Sequence, residues 1–130
     1  MLLYIAGRMT GLPQYNFGEF MLAKAKWEAK GYQVETPFDG SNRVWQKNHG
    51  RDYVLDVDFC EYGSRAMMDC WLADTEILCR CEGVVLLRDW VLSRGARIEA
   101  QTAILLGKKL YDNRTMEEVK YKIHIAFSPL

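Results

Sequence analysis

Short apolar runs alternate with longer amphipathic stretches along this chain, and the alternation predicts its elements. Leu2-Leu3-Tyr4-Ile5-Ala6 is apolar, β-favouring and stopped by Gly7, so it reads as a first strand. A loop with two glycines follows, Gly7 to Pro13, able to bring backbone amides close to a ligand. Asn16 with Glu19 three residues later has the pattern of a capping box, and Phe17, Phe20, Met21, Ala25 and Trp27 give a helical apolar face up to Gly31. Tyr32 to Glu35 is read as a second strand, closed by Pro37.

No clean period runs from Phe38 to Gly63. That segment is rich in Asp, Asn and Gly yet carries Trp45, Tyr53, Phe59 and Tyr62. A long irregular connection with aromatics is expected to act as a lid-like insertion, or equally to cover core. Ser64 then caps a helix whose apolar side is read as Met67, Met68, Trp71, Leu72, Thr75, Leu78 and Cys79. Gly83 to Leu87 is unbroken apolar sequence, as in a parallel strand buried on both faces. After Ser93 comes a helix with Ala96, Ala100 and Ala103 on one side, ended by Gly107. Lys108 to Tyr111 is read as strand four, Thr115 to Lys120 as a short helix, and Ile123 to Phe127 as strand five. This order predicts one α/β domain over residues 1–130, with a doubly wound, mostly parallel five-stranded sheet and right-handed crossovers.

Charge narrows the partners. Lys and Arg number 17 and Asp and Glu 17, which argues against a surface that coats a nucleic-acid polymer but leaves room for a cluster binding one phosphate. No apolar stretch approaches the ~20 residues of a bilayer span, so no membrane partner is expected. Met1 runs straight into a strand-like stretch, so no targeting segment is expected. Cys60, Cys70, Cys79 and Cys81 have neither zinc-knuckle nor Cys-x-x-Cys spacing, and His49 and His124 are isolated. No metal and no cofactor are therefore expected, and free thiols fit a cytoplasmic setting.

The candidate chemistry gathers at Ser93-Arg94-Gly95-Ala96-Arg97-Ile98-Glu99, beyond the carboxyl end of the third strand. In open α/β sheets, ligands sit at that edge. Glu99 is either a surface glutamate favoured by a helix N-terminus or a carboxylate fixed for catalysis among small residues, and spacing alone favours the first. Asp74 lies on the flank of a helix face containing Trp71 and Leu78, so it must reach solvent, pair with an arginine such as Arg8 or Arg97, or sit in a polar cleft. Tyr4 is either core or a hydrogen-bond partner for a carboxylate. Ser93 reads first as an N-cap; beside Gly95 it is equally placed to hold an anion.

Taken together, Tyr4-Ile5-Ala6-Gly7-Arg8-Met9-Thr10-Gly11, Asn16-Phe17, Asp74, Cys81-Glu82-Gly83-Val84-Val85-Leu86-Leu87 and the Ser93–Glu99 stretch resemble the nucleoside 2-deoxyribosyltransferase superfamily. The closest likeness is to a phage and bacterial branch of poorly defined activity. The resemblance implies a flavodoxin-like sheet and cleavage of the bond between a base and a (deoxy)ribose. It implies Glu99 as nucleophile, Asp74 as the carboxylate near the base and Tyr4 as the residue orienting the nucleophile. Gly7 and Arg8, with Met9 beside them, would line the sugar–phosphate pocket, and Asn113 is a weaker candidate for sugar binding. The transferases usually carry aspartate six residues before the glutamate. Ser93 at that position resembles instead the branch that hydrolyses deoxynucleoside 5′-monophosphates, where a serine binds phosphate.

These implications make a nucleotide N-glycosidase the leading expectation, acting on a small-molecule nucleotide by the two-carboxylate logic of glycoside hydrolysis. Capture of a nucleotide without turnover and transfer of deoxyribose between bases are the alternatives. The resemblance further implies a homo-oligomer.

Overall fold

The structure, a computed structural model, describes residues 1–51 and 64–120. Its chain order is β1 (Leu2–Ala6), α1 (Phe17–Glu28), β2 (Gln33–Glu35), α2 (Pro37–His49), α3 (Arg65–Arg80), β3 (Gly83–Leu86), α4 (Arg94–Leu105) and β4 (Lys109–Asp112). The strands form one four-stranded sheet in the order β2-β1-β3-β4. All its pairings are parallel, with Tyr4 level with Glu35 on one side and Val84 on the other. The order reverses direction after β1, so right-handed crossovers put α1 on one face and α3 and α4 on the other.

Alternation along β1 divides the core accordingly. Leu3 and Ile5 join Phe20, Ala23, Trp27, Val34, Phe38, Val85 and Leu87 on the α1 side. Tyr4 and Ala6 join Ile77, Leu78, Cys81, Val84, Leu86 and the three alanines of α4 on the other. Ala96, Ala100 and Ala103 lack bulk, which lets α4 lie close against the sheet.

Several sequence readings are corrected. Residues 38–49 are not part of an irregular lid but belong to α2, started by Thr36 and Pro37. Thr36 Oγ1 accepts from Phe38 N at 3.2 Å, and Asp39 Oδ2 accepts from Thr36 N at 2.7 Å. That reciprocal cap and a proline at the first helical position stabilise a helix whose interior is rich in poor helix formers. The remainder of the expected insertion, residues 52–63, lies outside the described residues.

Asn16 does not cap α1. Gln14, Tyr15 and Asn16 have φ of 50°, 54° and 66°, and Asn16 Nδ2 donates to Arg8 O at 3.1 Å. Glu19, the other half of the expected box, instead pairs with Arg88 at 3.2 Å. On α3 the inward stripe is Cys70, Asp74, Ile77 and Leu78, whereas Met68, Trp71 and Leu72 are exposed. Both flanks of this helix are apolar, so the period leaves its phase ambiguous.

Thr115 to Lys120 is not a helix either. It turns back to bridge Glu118 with Tyr111 in antiparallel fashion, and Val119 N donates to Leu110 O at 2.7 Å. The unpaired edge of β4 offers backbone partners that outweigh the local helix propensity. The sheet thus has four strands among the described residues rather than five; the expected fifth, 123–127, lies outside them.

Candidate active site

Tyr4 comes from the middle of the central strand β1 and is fully buried on the face covered by α3 and α4. A buried phenol needs a partner for its hydroxyl, and here it donates to Glu99 Oε2. Glu99 projects from the second turn of α4, on the same stripe as Ala96, Ala100 and Ala103. Side chains on a helix point toward its N-terminus, so this carboxylate is directed to the sheet's carboxyl edge. It is only 5% exposed.

Asp74 faces the same group from α3. Its Oδ1 is shut off from solvent and has no hydrogen-bond partner among the described residues. The expected alternative, an ion pair with Arg8 or Arg97, is not made among the described residues. Burial pushes the Asp74 carboxyl well above the usual carboxylate range; the Glu99 charge adds to this and Arg43 on α2 opposes it. Burial likewise raises Glu99 from 4.5 to about 7, against the lowering effect of the Tyr4 hydrogen bond. Tyr4 is pushed well above its ordinary value by burial and by both carboxylates, so its hydroxyl remains a donor. Two carboxyl groups with raised proton affinity around one phenol form an arrangement able to hold one proton and expose one negative charge near neutral pH.

The loop after β1 is drawn tight against β3. A Cβ added to Gly7 would lie 2.7 Å from Leu87 Cδ1, so only glycine fits. Arg8 is half-buried beside it, its carbonyl tethered by Asn16. Met9 instead packs into the α1-side cluster. Ser93 caps α4, its Oγ accepting from Ala96 N at 3.1 Å. Gly95 follows in the first turn, where an added Cβ would lie 3.9 Å from the Trp71 ring edge.

Asn113 is not brought to this group. Its Oδ1 accepts from Trp27 Nε1 at 2.9 Å and its carbonyl from Lys26, both on the α1 side of the sheet. A separate cleft of about 230 Å³ opens at the ends of β3 and β4, lined by Leu86, Arg88, Trp90, Asp112, Arg114 and Val119 among others. Neither Asp74 nor Glu99 lines it, and the phenol-tethered Glu99 with Asp74 is the stronger chemical candidate. Among the described residues no group of three His, Cys, Asp or Glu side chains is placed to hold a metal ion, and no helix is long and apolar enough to cross a membrane.

Sequence reasoning missed Gly40 and Arg43 of α2. Gly40 abuts Asp74 directly, and Arg43 acts on its charge. The signal was the Thr36-Pro37-Phe38-Asp39 helix start, obscured by the polar residues that follow.

Fold and site define a doubly wound α/β domain with a phenol-tethered glutamate, Glu99, and a second carboxyl, Asp74, on the face covered by α3 and α4. Residues 1–112 match the family described as "Domain of unknown function (DUF4406)", and the chain belongs to that family. No curated protein matches it.

Proposed function

We propose that the protein is an N-glycosidase that cleaves the base–sugar bond of a nucleoside 5′-monophosphate or a related nucleotide. The observation that carries this reading is the buried Tyr4–Glu99 hydrogen bond together with the Asp74 carboxyl facing it, whose buried Oδ1 has no partner among the described residues. The likeness of these positions to the nucleoside 2-deoxyribosyltransferase superfamily supplies the substrate class.

Glu99, ionised near neutral pH, attacks the anomeric carbon as the carbon–nitrogen bond to the base breaks. The departing base takes the proton of Asp74. Water then cleaves the glycosyl ester, returning a proton to the Asp74 carboxylate and freeing Glu99. Tyr4 orients the nucleophile throughout. Ser93, Gly95 and the N-terminus of α4, with Gly7 and Arg8, hold the sugar–phosphate end.

Incubation with deoxynucleoside monophosphates and with the matching nucleosides, followed by chromatography for free base, tests the reading. Base release by the wild type and none by Glu99→Ala, with binding retained, is the expected result. Equal release by both removes Glu99 from the chemistry.

Capture without turnover is the second reading, favoured by the near-complete burial of Glu99, which restricts product exit. Intact nucleotide recovered after long incubation decides for it. Transfer of deoxyribose predicts instead that a second base accelerates consumption of the first. The family likeness also supports a homo-oligomer, and light scattering on the purified protein reads its mass; the free thiols of Cys70, Cys79 and Cys81 fit a cytoplasmic setting.

A further inference from the structure

Among the described residues Asp74 Oδ1 is a buried carboxyl oxygen without a partner, an arrangement that folded proteins avoid unless something is gained by it. The residue set against that oxygen is a glycine. A Cβ built on Gly40 would lie 2.6 Å from Asp74 Oδ1 and 3.4 Å from Ala73 Cβ. Nothing in the backbone demands glycine there. Gly40 is buried inside α2 and has no positive φ, and alanine stabilises a helix interior relative to glycine. The missing side chain therefore serves Asp74 and not the helix.

α2 is held at this distance from two sides. Its cap fixes the entry at Thr36. One turn beyond Gly40, Arg43 pairs with Glu35 at 3.1 Å, and Glu35 also pairs with Arg80 of α3 at 3.2 Å. The bridge ties α2 to α3 across the end of β2, the strand residue level with Tyr4.

We propose that Gly40 is a positioning residue of the site: the space left by its missing side chain is the seat that keeps the Asp74 carboxyl turned inward beside Glu99. The proposal rests on the reading of Asp74 and Glu99 as the working pair. The groups that face Asp74 are Glu99 of α4, Tyr4 of β1, Arg43 of α2 and Cys70, one turn earlier on α3. In Gly40→Ala the new methyl occupies the seat, and the carboxyl rotates outward to water.

Two measurements on the full chain test this. Carbon-13 NMR titration of the Asp74 carboxyl should show a raised midpoint in the wild type and a clear return toward the ordinary aspartate range in Gly40→Ala. The base-release kcat should fall roughly 10²-fold, the loss expected for an absent general acid, with KM within about twofold. Thermal stability should hold or rise, a combination that a purely structural glycine does not give. An unchanged Asp74 titration overturns the proposal. A shifted titration with no base release by the wild type leaves Gly40 assigned and defeats the glycosidase reading instead. Should Gly40→Ala lower Tm, adding Asp74→Ala removes the oxygen that the methyl meets and should restore it; no restoration also overturns the proposal.

Discussion

Tyr4 and Glu99 stand 95 positions apart and share a hydrogen bond with both ends buried. Tyr4→Phe removes the interaction that holds the Glu99 carboxyl down, so burial drives its midpoint above about 7. The ascending limb of the pH–rate curve should move to higher pH, and release at pH 7 should fall about 10- to 100-fold. Loss of a buried bond to a charged group should cost about 1–3 kcal/mol in urea unfolding. An unmoved limb would show that Tyr4 does not act on Glu99.

Glu99 makes stability depend on pH in a direction opposite to that of an ion-paired carboxylate. Its folded value of about 7 exceeds the ordinary 4.5, so the folded state binds more protons between those values. Stability should therefore be full below pH ~4.5, decline as pH rises toward 7 and level off beyond, by on the order of 3 kcal/mol. Asp74 contributes in the same direction. Glu99→Gln should remove the Glu99 share and be the more stable protein at pH 8. Denaturation curves at pH 5 and 8 settle it; a flat wild-type profile contradicts the ionisable burial.

Ser93 has a structural task already, since its Oγ caps α4. Ser93→Ala should cost about 1 kcal/mol of stability for the lost cap. If the same helix end holds a phosphate, KM for a nucleoside 5′-monophosphate should rise about tenfold, with little change for the nucleoside. Equal changes for both substrates would locate the phosphate elsewhere.

Asn113→Ala should act on stability alone. Trp27 Nε1 loses its acceptor on the α1 side of the sheet, costing about 1–2 kcal/mol, and the tryptophan emission should respond. KM for the nucleotide should stay within about twofold. A larger rise would return Asn113 to the substrate.

The legible parts of this fold were those where one physical requirement dominated. β1 and β3 are buried on both faces, so they are uninterrupted apolar runs ended by Gly7 and begun by Gly83. Ser64 and Ser93 cap because each stands one residue before its helix with an oxygen to offer. Tyr4, Asp74 and Glu99 were legible as candidates; their convergence needed the β2-β1-β3 order, which is a long-range fact. α2 was not legible because Ser41, Asn42 and Asn48 mask the period while Phe38 and Trp45, seven residues apart, carry its burial. Asn16 failed as a cap because it sits in the left-handed region and spends its amide on Arg8.

The sheet order has a consequence for synthesis. β1 is central, and its Tyr4 faces the side covered by α3 and α4. A ribosome adding about 5–20 residues per second needs roughly 5–20 s to travel from Tyr4 to Glu99. For most of that interval the nascent chain has a first strand with no β3 to pair with, and through all of it a phenol with no acceptor from α4. The Tyr4–Glu99 hydrogen bond is thus a late event, and a chain released before Glu99 cannot form it.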